Sequence, residues 1–334
     1  MGRNEDKRKD RPEALWKEAD LLEGRQVQAM VVILRTTGCW WSRKKGCLMC
    51  SYNLASDQSI TSEDLREQMA VAISKFDGEE MVKVYTSGSF LDEKEIPKAI
   101  RDEVLQAFIT SKRILFESRP EFVSMEVLQS LPIDKIQLAL GLESANDEVL
   151  EKSVRKGFRV SDYERAARLL NESKIPLRTY LLLKPPFLTE RQALEDAIRS
   201  VSFASRYSES VSINPLNVQA DTLVESLWRR GDYRPPWLWS LVEVLKRGKD
   251  LTSGVRIFSS PSGGGTSRGV HNCGKCDASI MTAIENFSFS QDPTELQELD
   301  CECKNRWRVI IESQDAMQTS VDIDRYLSDE LPLD

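Results

Sequence analysis

The chain has 334 residues, 40% of them hydrophobic and 30% charged, which is the composition of a globular protein with room for one large domain or two smaller ones. A formal net charge of −7 argues against a protein that coats nucleic acid through bulk electrostatics, although it permits a local basic patch. The single histidine nearly excludes histidine acid–base catalysis, so any catalytic interpretation depends on a cofactor.

Residues 1–24 are predicted to form a charged N-terminal extension with a short helix over 12–22. This segment lacks the apolar stretch of a secretory signal, and its Met-Gly start lacks the hydroxyl residue of a myristoylation site. No apolar run approaches the roughly 18 residues that a membrane helix needs. We therefore expect a cytoplasmic protein without a membrane partner.

A regular alternation of strands and helices is predicted for residues 25–258. An apolar run at 29–34 predicts a strand buried on both faces. Further strands are predicted at 81–85, 113–116, 135–140, 177–183 and 210–214, with helices at 61–76, 95–110, 124–130, 161–173 and 189–206. This alternation implies a parallel sheet with helices outside it. Six repeats fall short of a closed eight-stranded barrel, so the predicted fold class is α/β, an open partial (β/α)6 barrel.

The alternation ends after Asn217. Helices are predicted over 222–230 and 235–249, and short strands over 255–258 and 307–312. The glycine- and serine-rich stretch 259–269 is predicted to be a loop that either cradles a phosphate or serves as a linker. We expect residues 259–334 to form a small C-terminal metal-binding subdomain with an acidic tail.

Three cysteines, Cys39, Cys47 and Cys50, directly follow the first barrel strand. The carboxyl end of a parallel strand is where α/β barrels carry their active sites. Closely grouped thiolates select zinc, copper or iron–sulfur clusters. Because a 4Fe-4S cluster normally takes four cysteines, three would leave one iron open, and S-adenosylmethionine (SAM) can chelate that iron. The alternative is a structural zinc site whose fourth ligand lies elsewhere.

Four further cysteines form two close pairs, Cys273 with Cys276 and Cys301 with Cys303. Paired cysteines of this kind predict a closed tetrahedral zinc site. The alternatives are a second iron–sulfur cluster or no metal. The neighbouring His271 is either a spare ligand or an ordinary surface residue.

The strand ends resemble those of a known family. The cysteine loop, the stretch Ile-Leu-Phe-Glu-Ser-Arg-Pro at 114–120 and the segment 141–157 resemble the radical SAM enzymes of the branch that includes the elongator catalytic subunit. The first gap between cysteines is seven residues where that superfamily usually has three. With its long cysteine loop and its second cysteine group, the chain is most similar to the RaSEA family of archaeosine-forming radical SAM subunits.

This resemblance implies a radical SAM lyase of tRNA modification. In that family's pathway a lysine-transferring enzyme, ArcS, attaches lysine to 7-cyano-7-deazaguanine in tRNA. The radical enzyme then cleaves the lysine side chain's carbon–nitrogen bond, which leaves the formamidine of archaeosine. The implied partners are the tRNA substrate, ArcS as the source of much of the tRNA affinity, and an electron donor. The alternatives are a radical SAM enzyme acting on another tRNA or small molecule, and a non-catalytic iron–sulfur or zinc protein that binds RNA.

The resemblance also implies which residues bind SAM. The loop after the second strand would accept the amino group of SAM, strand-end charges would pair with its charged ends, and a late segment would contact adenine through backbone groups. These residues are Met49, Ser87, Gly88, Ser89, Glu117, Arg119, Glu143, Ser144, Leu216, Asn217 and Val218. At Ser87–Ser89 the family often has Gly-Gly-Glu, and at Met49 it often has an aromatic residue.

A basic group, Arg43, Lys44 and Lys45, lies inside the cysteine loop. It is predicted either to contact tRNA phosphates or to form a solvated surface. The adjacent Trp40 and Trp41 either stack on a base or pack the loop.

Overall fold

A computed structural model describes residues 9–314 of the chain. Residues 1–8 of the predicted N-terminal extension and 315–334, which include the predicted acidic tail, lie outside the described part. Within that part, no helix combines the length and the apolar character that crossing a membrane requires.

A single eight-stranded sheet organises the described chain. Its strands are β1 (Ala14–Leu22), β2 (Arg25–Ile33), β3 (Met81–Tyr85), β4 (Arg113–Ser118), β5 (Ile136–Glu143), β6 (Leu177–Leu183), β7 (Ser210–Pro215) and β8 (Arg256–Phe258). Each strand pairs with the next one in sequence; β2 to β8 are parallel and β1 is antiparallel to β2. The predicted α/β partial barrel is therefore confirmed. The short strand predicted over 255–258 joins its sheet as β8, and β1 is a further strand that was not predicted.

Helices cover the outside of the sheet. They are α1 (Ser62–Ile73), α2 (Lys98–Ala107), α3 (Met125–Gln129), α4 (Val160–Glu172), α5 (Glu190–Ala204), α6 (Leu223–Arg230), α7 (Leu238–Asp250), α8 (Asp277–Ser290) and α9 (Cys303–Gln314). Local sequence fixes several starts: Thr61 with Asp64, and Thr189 with Gln192, form capping boxes that satisfy free backbone amides of α1 and α5. One further turn, Val149–Val154, has π-helical hydrogen bonding.

The two faces of the sheet differ in character. Outward-facing side chains such as Val84, Phe116 and Leu140 are completely buried under the helices. The inside of the barrel is closed at the amino ends of the strands by a polar group around Asp20, whose carboxylate lies 3.2 Å from Arg178 and 2.5 Å from Lys83. Burial favours the neutral acid, but these cations lower the pKa of Asp20 well below its usual range. The opposite end of the barrel, at the carboxyl ends of the strands, carries the candidate active site, which is described below.

Two predicted elements are wrong. The helix expected over 12–22 is strand β1, because Glu23 and Gly24 both have positive φ and form a two-residue hairpin turn to β2. The strand expected over 307–312 belongs to helix α9, where Trp307, Ile310 and Ile311 share the side that packs against the core.

The C-terminal region packs on the barrel helices. Ile280, Ile284 and Phe287 of α8 are buried in the main hydrophobic core. The indole nitrogen of Trp307 donates a 2.9 Å hydrogen bond to Ser240 on α7. The described part of the predicted C-terminal metal-binding subdomain thus contributes to the same hydrophobic core as the barrel.

Candidate active site and metal centre

The three loop cysteines lie at the carboxyl end of β2, as predicted, and all are half-buried. Burial raises the pKa of the Cys47 thiol to about 11, against the opposing effect of the Lys156 and Arg119 charges. A bound metal must therefore displace the proton of this thiol, so metal binding here is coupled to deprotonation.

The long gap between Cys39 and Cys47 forms a loop that is anchored to the segment after β5. The indole nitrogen of Trp41 donates a 2.8 Å hydrogen bond to the Arg155 carbonyl, and the Leu48 amide donates to the Val154 carbonyl at 3.1 Å. Gly157 has φ +79°, and a Cβ added there would lie 2.5 Å from the Trp41 ring. The extra residues of the loop thus pack in a defined position against the segment after β5, a contact that the sequence alone did not indicate.

Replacing Gly157 by alanine should displace Trp41 and lower cluster incorporation several-fold. Gly78→Ala is the matched control, because Gly78 also has positive φ (+88°) but an added Cβ would meet nothing within 4 Å. Both variants should lose about 1 kcal/mol of folding free energy from backbone strain. Iron and sulfide content after reconstitution tests the difference; equal content in the two variants would contradict this role for Trp41.

Four half-buried polar side chains, Tyr85, Glu117, Glu143 and Tyr180, lie on the strands β3 to β6 beside the cysteines. Glu143 is close enough to Glu117, Cys47 and Cys50 to act on their pKa values, and the region that these four side chains surround is called the chamber. Desolvation raises the pKa of Glu117 to about 7, although the Tyr180 hydroxyl donates a hydrogen bond to it. A carboxyl group with such a pKa is poised to change charge near neutrality.

An ion pair lies at the edge of this chamber. Lys156 Nζ is 2.6 Å from Glu143 Oε1, and both side chains are almost buried. Burial alone would lower the pKa of Lys156, but Glu143 and Cys47 outweigh it and raise that pKa. Gly141 leaves room for this pair, because a Cβ there would lie 2.7 Å from the Glu143 carboxylate.

The loop 87–89 after β3 lies against the cysteine loop. Gly88 packs so closely that a Cβ would lie 2.6 Å from Cys39 Cα. The buried carboxylate of Glu95 accepts hydrogen bonds from the Gly88 and Ser89 amides at 3.0 and 2.6 Å. Ser89 is 1% exposed and its hydroxyl lies 2.7 Å from that of Ser118, so its side chain is used within the protein.

Two other residues predicted to bind SAM also have internal partners. Arg119 bonds to Glu121 at 2.5 Å and donates to the Lys156 carbonyl at 3.0 Å. Ser144 is fully buried and donates to Asp196 on α5 at 2.9 Å. Arg119 therefore fastens the loops together, and Ser144 joins β5 to α5.

The predicted adenine-contacting segment 216–218 is held in place from behind. Leu216 and Val218 are buried in a small apolar cluster against which Met49 packs. The Val218 amide donates to the Arg268 carbonyl at 2.7 Å, and Arg268 Nε donates back to the Val218 carbonyl at 3.0 Å. The stretch 259–269 is therefore a structured loop that supports this segment, and the linker interpretation of it is wrong.

The four C-terminal cysteines converge on one point. The Cys273 sulfur lies 3.8 Å from the sulfurs of Cys276 and Cys301, and the Cys276 sulfur lies 3.6 Å from that of Cys303. Zinc–sulfur bonds of about 2.3 Å in a tetrahedron place sulfurs about 3.8 Å apart. All four sulfurs lie within 4.8 Å of one another, and His271 is not part of the group. The arrangement fits a closed site for a single metal ion.

The surrounding residues support the same site. Gly274 has φ +85° and makes the tight turn between Cys273 and Cys276. Asp277 accepts hydrogen bonds from the Gly274 and Asn272 amides, both at 3.0 Å. The indole nitrogen of Trp239 donates to Cys303 Sγ at 3.3 Å. The Trp239 donor stabilises Cys303 as a thiolate ligand, and Asp277 holds the turn that carries Cys273 and Cys276.

Curated proteins with known names match almost the whole chain. It is 40% identical over 314 residues to the archaeosine synthase subunit beta of Methanosarcina acetivorans, covering 91% of each protein. It is 39% identical over 311 residues to the subunit of the same name from Thermococcus kodakarensis, covering 89% of this chain and 96% of that protein. The chain belongs to the archaeosine synthase subunit beta family.

The predicted membership of the archaeosine-forming subunits is thereby confirmed. An uncharacterised protein of Methanocaldococcus jannaschii is also 36% identical over 324 residues, covering 92% of this chain and 88% of that protein. No family model matches the chain. An archaeal Elp3 structure from Methanocaldococcus infernus covers 68% of this chain and 59% of that one, at 15% identity and a TM-score of 0.48.

The basic residues of this archaeosine synthase family member lie at the tip of the cysteine loop. Arg43, Lys44 and Lys45 are all exposed. Arg43 donates to the Thr37 and Gly38 carbonyls, both at 3.0 Å, and Lys44 Nζ lies 4.8 Å from the centre of the Trp40 ring. The tip thus presents positive charge beside the chamber mouth, while Trp41 packs beneath it.

Several chamber residues were missed by the sequence analysis. Tyr85 and Tyr180 have no motif of their own, and Lys156 falls in the stretch 141–157 that carries the resemblance but was given no role in binding SAM. Glu95, which accepts hydrogen bonds from the loop 87–89, was taken only as the start of a helix. Strand periodicity could have indicated the tyrosines. Side chains two residues apart in a strand share a face, so once Glu117 is placed on the inner face of β4, alternate residues of the neighbouring strands are expected on that face too. Lys156 lies in a loop, where no such period applies.

Proposed function

We propose that this protein is the radical SAM lyase that completes archaeosine in tRNA, by cleaving the carbon–nitrogen bond of a lysine side chain attached to 7-deazaguanine. The observation that carries the proposal is the three-cysteine loop, which is anchored beside the charged side chains of the chamber. The relatives' name, archaeosine synthase subunit beta, supports the same function. A 4Fe-4S cluster with SAM would supply the radical chemistry, which side chains cannot provide.

The two cysteine groups differ in a way that supports different metals. Within residues 9–314, Cys39, Cys47 and Cys50 do not form a group whose sulfurs all lie within 4.8 Å, whereas the C-terminal four do. In a cluster each cysteine binds a separate iron, so its ligands need not converge on one ion. This supports a 4Fe-4S cluster at the loop and zinc, in preference to a second cluster, at the C-terminal site.

The chain's own residues would bind and orient SAM and keep water out. Glu117 offers a carboxylate to the positive charge of SAM, while Met49 with Leu216 and Val218 offers an apolar wall to adenine. The Glu143–Lys156 pair can exchange partners with polar groups of SAM. Fixing both reactants in this way is the protein's contribution to the rate.

The tRNA would approach over the tip of the cysteine loop, where Arg43, Lys44 and Lys45 are exposed. Three cations on a chain of net charge −7 give only a weak electrostatic attraction for the tRNA phosphates. The relatives are named as a subunit, which supports a partner, and we propose ArcS as the source of much of the affinity. Equal tRNA dissociation constants with and without ArcS would contradict this.

An isotope experiment tests which bond is cleaved. The tRNA substrate is prepared with lysine labelled with ¹⁵N in its side-chain amine and is then incubated with the reconstituted, reduced protein and SAM. Cleavage of the side chain's carbon–nitrogen bond keeps that nitrogen in the formamidine, so the archaeosine formed should carry the label. Lysine labelled only at the α-amine is the control and should give unlabelled archaeosine. Unlabelled product from the side-chain label would refute the proposed cleavage.

A further inference from the structure

A large exposed tyrosine, Tyr52, lies beside the cysteine loop. Tyr52 follows the third cysteine by two residues and begins a short 3-10 turn, Tyr52–Ala55. Although it is a large aromatic residue, 64% of its surface is exposed. The Ser87 hydroxyl donates a 3.2 Å hydrogen bond to the Tyr52 carbonyl, which holds the turn against the loop after β3.

The hydroxyl of Tyr52 lies near the Gln219 side chain and within electrostatic reach of Cys50, Glu117 and Glu143. The side-chain oxygen Oε1 of Gln219 accepts from the Ser51 amide at 2.8 Å and from the Ser51 hydroxyl at 3.1 Å, so Gln219 is held beside the turn that begins at Tyr52. The backbone of Tyr52 is thus held in place beside Gln219, while much of the ring's surface remains open to solvent.

A fixed aromatic surface beside a chamber suits one kind of ligand. Enzymes that modify a base inside folded nucleic acid take that base out of its stack and bind it between apolar or aromatic side chains. Stacking a base on an aromatic side chain contributes about 1–3 kcal/mol and needs only an exposed ring face. A base that carries a long adduct would also direct that adduct past the ring and into the chamber.

We propose that Tyr52 is the stacking platform for the flipped, adduct-bearing base of the tRNA, and that Gln219 fixes the platform's orientation. This inference rests on the proposed function, because it takes a nucleobase as the substrate. Tyr52 is a positioning residue here: it holds the base while the adduct extends towards the cysteines. The ring is the essential part, and the hydroxyl serves only to orient it.

The test is the dissociation constant of tRNA bearing the lysine adduct, measured with cluster-loaded, SAM-bound protein without reductant. Tyr52→Leu should weaken binding about tenfold, and Tyr52→Phe, which keeps the ring, should stay within about threefold of wild type. Leu54→Ala is the matched control, because Leu54 lies in the same turn and is 44% exposed; it should bind like wild type. Iron content, measured in parallel, should be equal in all four proteins.

Three results would overturn the inference: a Tyr52→Leu protein that binds within twofold of wild type, a Tyr52→Phe protein as weak as Tyr52→Leu, or a Tyr52→Leu protein that lacks the cluster. The second would assign the effect to the hydroxyl, and the third would make Tyr52 a support of the cysteine loop. The assay needs no turnover, so it is separate from the proposed function. If wild type makes no archaeosine when reduced, the proposed function fails, whatever these dissociation constants are.

Discussion

Cys47→Ala should abolish formation of 5′-deoxyadenosine from SAM while the protein stays folded with its C-terminal zinc. Cys47 lies in the middle of the anchored loop, between Leu48, which bonds to Val154, and the tip at Arg43 to Lys45. Each of the three cysteines would hold one iron, and two thiolates cannot hold a cluster that already lacks a fourth cysteine. Without the cluster no electron reaches SAM, so we expect at least a 1,000-fold loss, on the order of 4 kcal/mol of transition-state stabilisation.

Lys45→Ala is the control for this change, because Lys45 lies in the same loop but is exposed. It should keep its iron, its sulfide and its rate of SAM cleavage without tRNA. Zinc content separates the two metal sites: both variants should hold about one zinc per chain. A Cys47→Ala protein that still cleaves SAM at a rate near that of wild type would contradict the assignment of these three cysteines.

Cys273→Ser should release the zinc and destabilise the whole barrel. The four C-terminal sulfurs lie next to the start of α8 and of α9. Helix α8 buries apolar side chains in the main core, and α9 packs partly buried ones against it. A structural zinc ion contributes folding free energy directly, because the unfolded chain has no preformed site. We expect a loss of about 3–5 kcal/mol in the free energy of unfolding, seen as a lower urea midpoint.

Cys273 suits this test because it is the exposed ligand, so the serine leaves no cavity in the core. Lys275→Ala is the control, since Lys275 lies between the two ligands of the first pair and is exposed; it should keep zinc and stability. The iron content of Cys273→Ser at low temperature should match wild type. A variant that lost zinc but kept the wild-type urea midpoint would contradict a structural role for this site.

Much of the fold could be predicted because strand and helix periods are local. The apolar runs of β2, β3 and β6 and the cap at Thr61 all mark elements that the structure contains. Prediction failed for two elements whose secondary structure depends on tertiary contacts. β1 carries charged residues that resemble a surface helix, but it is an edge strand created by the turn at Glu23. The β-branched residues of α9 predicted a strand, yet their spacing of three and four suits the core.

The site shows the same division. Cysteine spacing and strand ends placed Cys39, Cys47 and Cys50 at the chamber, since these signals lie in the sequence itself. The direction in which a side chain points has no such local signal. Ser89 is engaged by Ser118, and Ser144 by Asp196, through partners 29 and 52 residues away in sequence. No local pattern encodes such pairs, so they follow only from the fold.

Anaerobic reconstitution with iron, sulfide and zinc, followed by dithionite, SAM and tRNA carrying the lysine adduct, tests directly whether this protein makes archaeosine. We expect archaeosine and 5′-deoxyadenosine to form together, and tRNA with 7-cyano-7-deazaguanine but no lysine to give no archaeosine. Deoxyadenosine without archaeosine would retain the radical SAM enzyme and refute the substrate. Neither product, from protein shown to contain the cluster, would contradict the enzyme itself and favour a binding protein.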